Sequence, residues 1–175
     1  FLGLFDTVAS TGMAYAMPFA EGHMGWADDC MRLPASETFL ERCVHLVAAH
    51  EQRVCFPVDS IRRKNDPDDP NGPSTYRANT VEYLYPGMHS DVGGGYSPGD
   101  QGKSLGGPQD VMSQIPLQHM YAEAYAVGAP LQAPKDVLSD EQRQVWPWLA
   151  MAEETEIAFD ISETLTLRFN TWLAH

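Results

Sequence analysis

At 175 residues and 43% hydrophobic content, the chain is long enough for one domain with a real core and too apolar to be disordered. Eleven basic residues against 24 acidic ones give a net charge of -13, which argues against a nucleic-acid partner and disfavours long-range attraction to an anionic membrane; the dense basic cluster Arg62-Arg63-Lys64 is followed at once by Asp66, Asp68 and Asp69. Three cysteines, Cys30, Cys43 and Cys55, make neither a disulfide framework nor a CxxC pair, so buried free thiols are expected and no metal or other cofactor is indicated.

The chain opens on Phe1-Leu2-Gly3-Leu4-Phe5, which reads as the interior of a core strand with no initiator Met or leader, so a piece of a longer polypeptide is expected. Asp6 and Thr7 end that run at the strand's carboxyl end, where α/β sheets present ligand and catalytic groups; capping a turn or helix is the competing use of Asp6. Between Ala9 and Pro34, five glycines and prolines interrupt Met13, Met17, Phe19, Met24, Trp26 and Met31, the pattern of a long loop or lid with an apolar face. Ser36 as N-cap, Glu37 in the first turn and Phe39, Leu40, Cys43, Val44, Leu46, Val47 and Ala48 predict a helix ending near His50-Glu51. His50 and Glu51 begin like a zincin motif, but the second histidine would fall at Val54, which rejects it. Val54 to Val58 then predicts a short strand in a βαβ arrangement with the strands on either side.

Ser60 to Asn79 is polar and turn-rich; its aspartates Asp66, Asp68 and Asp69 lack EF-hand spacing, and a solvated loop is expected. Thr80 to Tyr85 is β-branched and aromatic, a strand delivering its end through Pro86-Gly87 to His89 and the glycines Gly93, Gly94 and Gly95. A histidine so placed is a candidate for chemistry, with an incidental glycine-rich turn as the alternative. Gly95-Tyr96-Ser97-Pro98-Gly99 matches G-x-S-x-G literally, yet the residue after an elbow serine must donate its N–H to the oxyanion hole, and Pro98 has none. Gly102-Lys103-Ser104 likewise lacks the earlier glycine of a phosphate-binding loop. Beyond another glycine-rich loop, Gln114 to Ala126 predicts a helix entered through Pro116, and Ser139-Asp140-Glu141 a helix start. An acidic amphipathic stretch then runs to Leu173, with Trp146, Trp148, Phe169 and Trp172 expected to pack onto the parent domain more readily than onto a membrane or partner.

Asp6 and His89, both at strand ends, suit the acid and base of a Ser, Asp, His triad in the chain order of α/β-hydrolases, whose nucleophile precedes both. Three segments extend that reading: Gly3 to Ser10, Ala48 to Pro57 and Pro86 to Tyr96. They resemble the α/β-hydrolase domain of type VI secretion lipase effectors, most closely the first family of them, over about Phe1 to Ala129. The last motif, of the HSDVGGGY type, is the most specific of the three.

The resemblance implies a partial α/β-hydrolase fold, a mostly parallel sheet with flanking helices that lacks the N-terminal part bearing the nucleophile elbow. Residues 1–130 would form the C-terminal part of the catalytic domain, and 131–175 a helical extension or the start of an accessory, membrane-contacting region. It also implies that Asp6 orients His89, the general base, toward a serine in an upstream G-F-S-R-G elbow absent from this chain. Asp91 is an alternative orienting carboxylate, better suited to bonding loop amides, and Gly93 and Gly94 are supporting candidates. The implied activity is an A1- or A2-type phospholipase delivered by type VI secretion to the periplasm or membrane of a target cell. Its implied partners are phospholipid, the N-terminal part of the same protein, a secretion spike protein and a cognate immunity protein. Rival functions are a non-catalytic binding module of the same fold and a serine esterase acting on soluble esters.

Overall fold

A computed structural model describes residues 1–8, 38–53, 56–66, 68–69 and 71–174. They divide into two compact units, Phe1–Gly93 and Gly94–His175. The first is built on a parallel three-stranded sheet of β1 (Leu2–Phe5), β2 (Cys43–Ala48) and β5 (Thr80–Tyr85), in the order β1-β2-β5. An antiparallel pair, β3 (Arg63–Lys64) and β4 (Ser74–Thr75), carries the polar excursion between β2 and β5. There Asp66 and Asp69 accept from the amides of Asp68 and Asn71, at 2.9 and 3.0 Å, and so serve their own turns.

The central strand corrects the expected helix over Ser36 to Glu51. Cys43, Val44, His45 and Leu46 are fully buried and Val47 nearly so. A strand flanked on both sides in a parallel sheet reads as a continuous apolar run, and in so short a run helical and strand periods cannot be told apart. Six residues suffice for the strand, and Cys43 and Val44 pair with Thr80 and Val81 on one side while Leu2 and Gly3 lie on the other. Ser36 and Glu37, like the lid proposed for Ala9 to Pro34, lie outside the described residues. The strand expected at Val54 to Val58 is also corrected: Phe56 and Pro57 are irregular and Val58 makes a lone antiparallel bridge to Val8, while Val54 and Cys55 lie outside the described residues. Pro57 denies that segment a ladder donor. The strand that pairs with both β1 and β5 is therefore β2 and not Val54 to Val58, whereas β5 spans the predicted Thr80 to Tyr85.

A short helix, α1 (His89–Gly93), follows β5 and packs against β2. Cys43 is a free buried thiol whose pKa is pushed up by burial.

The second unit is helical. Its first helix, α2 (Gln114–Ala126), has the predicted bounds, with Pro116 in its opening turn and Pro116, Met120 and Ala124 buried at a spacing of four. Ser139 caps α3 (Asp140–Val145) through a capping box with Gln142. Two further helices, α4 (Glu153–Phe159) and α5 (Glu163–Leu173), complete it, and Ser162 caps α5 while donating to Asp110 at 2.5 Å. Ala133, Leu138, Met151 and Leu165 join Met120 and Ala124 in its core. Within this unit Trp146, Trp148 and Trp172 keep 43, 65 and 42% of their surface exposed. Among the described residues no helix is long and apolar enough to cross a membrane.

Leu46 is 0% exposed at the centre of the sheet. Truncating it removes apolar contacts on the face its side chain packs and leaves a cavity, so Leu46→Ala is expected to cost roughly 2 to 5 kcal/mol in chemical denaturation. A loss under about 1 kcal/mol would place Leu46 outside a packed core.

Candidate active site

The site forms where β1 and β5 end. Asp6 follows β1 and is 1% exposed, with its backbone in the left-handed region at φ 42. Aspartate tolerates that region better than most residues, because its short polar side chain can bond locally. Its amide donates to Leu46 O at 2.6 Å and its Oδ1 accepts from the Ala48 amide at 2.9 Å, so the end of β2 grips both backbone and carboxylate. The other oxygen, Oδ2, lies 2.7 Å from Nδ1 of His89. A carboxylate only accepts, so Nδ1 carries the ring proton and Nε2 is left as the basic nitrogen. The His89 side chain is 30% exposed.

His89 begins α1, and its setting is built from residues around the rejected zincin motif. Glu51 Oε2 accepts from the His89 amide at 3.1 Å. Arg53 grips both Glu51 oxygens, Nε to Oε1 at 2.9 Å and Nη2 to Oε2 at 2.8 Å, and the Glu51 side chain is 6% exposed. These bonds to Arg53, helped by the His89 amide, lower the Glu51 pKa to about 2. The Arg53 guanidinium sits 4.2 Å over the Phe56 ring, which lies 5.1 Å from the His89 imidazole at a 32° tilt. His50 fastens the preceding turn, its Nδ1 accepting from the Gly87 amide and its own amide donating to Gly87 O, both at 3.0 Å.

Gly87 explains why the motif needs glycine there. Its φ is +121, and a Cβ would fall 2.6 Å from Asp91 Cβ. Asp91 Oδ2 accepts from the Met88 amide at 2.9 Å, so this carboxylate is spent on the loop and the partner of the His89 ring is Asp6. Gly94, at φ +80, leaves α1 in the left-handed turn that commonly ends helices, whereas Gly93 has ordinary backbone and open space around it. Ser97 lies in the next unit, preceded by irregular chain and followed by a 3-10 turn at Asp100–Gly102; its amide donates to Asp100 at 2.9 Å. That is no strand-to-helix elbow.

A second polar group lies on the neighbouring strands of the same sheet. His45 is 0% exposed in the middle of β2; its Nδ1 is 2.9 Å from Glu82 Oε1 and its Nε2 accepts the Thr7 amide at 3.0 Å. Glu82 also accepts from Ser60 Oγ, the Ile61 amide and Tyr76 OH, each at 2.8 Å. Burial raises the Glu82 pKa, but the bonds from His45, Ile61, Tyr76 and Ser60 outweigh it and the net shift is downward. Sequence reasoning passed over His45 and Glu82, and used Glu51 and Phe56 only as motif and strand residues. The available mark was an imidazole and a carboxylate, His45 and Glu82, each inside an otherwise apolar or aromatic run, Cys43–Ala48 and Thr80–Tyr85.

The chemistry these groups can do is that of an oriented base: a buried carboxylate fixes one imidazole nitrogen and directs the other outward. No curated protein matches the chain. A crystal structure of an uncharacterized protein from Pseudomonas aeruginosa is similar over 99% of this chain, at 55% identity and a TM-score of 0.80, and this chain spans 22% of that longer one. The model of the family described as type VI secretion system phospholipase effector Tle1-like, catalytic domain, matches residues 1–123. With 123 of its 175 residues matched, the chain belongs to the Tle1-like catalytic domain family of type VI secretion phospholipase effectors.

Proposed function

We propose that this chain supplies the acid and base of a serine phospholipase whose nucleophile lies on another segment of the same protein. The observation that carries this reading is the 2.7 Å bond that buried Asp6 accepts from His89 at the carboxyl end of a parallel sheet. Family membership supports the phospholipase class, and the much greater length of the similar Pseudomonas chain leaves room for the nucleophile elbow.

In this mechanism the serine hydroxyl attacks the acyl ester carbonyl of a glycerophospholipid while His89 Nε2 takes its proton. Asp6 holds Nδ1–H and stabilises the imidazolium as it forms. His89 then returns the proton to the departing lysophospholipid oxygen, giving an acyl-serine, and repeats the exchange with water to release the fatty acid. A1- or A2-type cleavage fits this scheme. Delivery by type VI secretion, with a spike protein as carrier and an immunity protein as antidote, places the substrate in a target cell's envelope.

Two outcomes test the reading in the full-length protein. Fatty-acid release from phosphatidylethanolamine and phosphatidylglycerol vesicles is expected to fall by roughly two to four orders of magnitude in kcat for His89→Ala and for Asp6→Asn. Undiminished release by His89→Ala rejects the assignment, and a preference for short-chain soluble esters over phospholipid rejects the substrate class.

Glu51 offers a pH test of how the base is held. Its carboxyl ionises at about 2 instead of the ordinary 4.5, so the stability it adds is complete above about pH 4.5 and is lost as the pH falls toward 2. Thermal unfolding is expected to show wild type more stable than Glu51→Gln at pH 6, with the gap closing between pH 4.5 and 2. A gap that does not change with pH would mean that the carboxylate charge does not anchor the His89 turn.

A further inference from the structure

His45 is fully buried and polar, and the mechanism above leaves it without a task. Its neighbours define one. The Thr7 amide belongs to the peptide plane that follows Asp6, and it donates to His45 Nε2 at 3.0 Å. The Asp6 amide belongs to the preceding plane, and it donates to Leu46 O at 2.6 Å. Both planes flanking the Asp6 Cα are thus tied to adjacent residues of β2, which fixes a left-handed φ of 42 that free chain would rarely hold. With the backbone set, Oδ1 meets the Ala48 amide and Oδ2 meets His89.

The ring can do this in only one tautomer. A backbone N–H needs a bare nitrogen, so Nε2 carries no proton and Nδ1–H donates to Glu82 Oε1 on the paired residue of β5. We propose that His45 is a positioning residue for the Asp6–His89 pair, accepting the Thr7 amide to set the Asp6 turn, and that Glu82 holds it in the tautomer able to do so. This rests on Asp6 and His89 being the acid and base of the reaction.

A different reading of the same atoms is available, because Thr7 Oγ1 also lies 3.0 Å from His45 Nε2 and gives a hydroxyl, imidazole, carboxylate series. That series is unsuited to attack. The Nε2 lone pair faces the Thr7 amide, the hydroxyl lies 3.2 Å from Asp59 O as a donor, and His45 is closed to any substrate.

The test uses the full-length protein, dihexanoyl phosphatidylethanolamine as substrate and five variants, each with a melting temperature recorded. His45→Asn places an amide nitrogen where Nδ1 stands, keeping the bond to Glu82 while abandoning the Thr7 amide; His45→Gln carries its oxygen to the Nε2 position and keeps the Thr7 amide. The expected result is a kcat lowered roughly ten- to hundredfold in His45→Asn with KM within about twofold, since a displacement near 1 Å in catalytic geometry has that effect. His45→Gln is expected to recover most of that loss, and Thr7→Ala, which retains the amide, to stay within about threefold of wild type. Equal kcat in His45→Asn and His45→Gln, or losses that follow melting temperature alone, overturn the positioning role. A loss in Thr7→Ala as deep as that in His89→Ala overturns it in favour of hydroxyl chemistry. Should His89→Ala and Asp6→Asn both keep activity, the acid and base reading fails and takes this one with it; should they lose activity while both His45 variants keep wild-type kcat, only the positioning role fails.

Discussion

The arrangement at the end of the sheet depends on the grip of β2 on Asp6. Three features of that strand, the His45 ring, the Leu46 carbonyl and the Ala48 amide, hold the peptide planes and the carboxylate of one residue in an otherwise disfavoured conformation. A left-handed aspartate on a free loop would sample other backbone wells and carry its carboxylate with it. Here the turn is bonded to the most buried strand of the unit, so its geometry is as rigid as the core. The cost of the strained backbone is offset by hydrogen bonds that would otherwise go unmade in a region closed to water.

His89 is held by different means. Its side chain is partly open, so its orientation comes from contacts around it rather than from burial. The Asp6 carboxylate takes Nδ1, Phe56 lies against the ring, and Glu51 takes the backbone amide while being locked by Arg53. Glu51 and Asp6 are both acceptors for His89, one for its main chain and one for its ring, and this division lets the helix start and the imidazole be fixed independently. The glycine at position 87 serves the same end, since a side chain there would displace Asp91 and with it the turn that delivers the histidine.

Much of this was legible in the residues alone. The strand before the histidine, the helix at Gln114–Ala126 and the caps at Ser139 follow from β-branched content, a 3.6-residue spacing with proline in the first turn, and capping chemistry. Asp6 and His89 were legible because each polar residue ends an apolar run. The central strand was not, because its six residues, five of them buried, fill more than one helical turn and their apolar pattern satisfies either period. His45 hid for the same reason: taken as helical, residue 45 faces nothing in particular, and only the register opposite Glu82 and beside Leu4 gives it partners. The tryptophans of the second unit show the converse limit, since apolar composition predicts burial without saying against what.

The central claim is that the Asp6–His89 pair activates a serine carried elsewhere on the same polypeptide. Covalent labelling addresses it most directly: the full-length protein is treated with a fluorophosphonate probe, digested, and the modified residue located by mass spectrometry. The account predicts one labelled serine outside the 175 residues of this chain, with labelling abolished in His89→Ala. A label on Ser97 or any other residue of this chain, or a label that persists undiminished without His89, would contradict it.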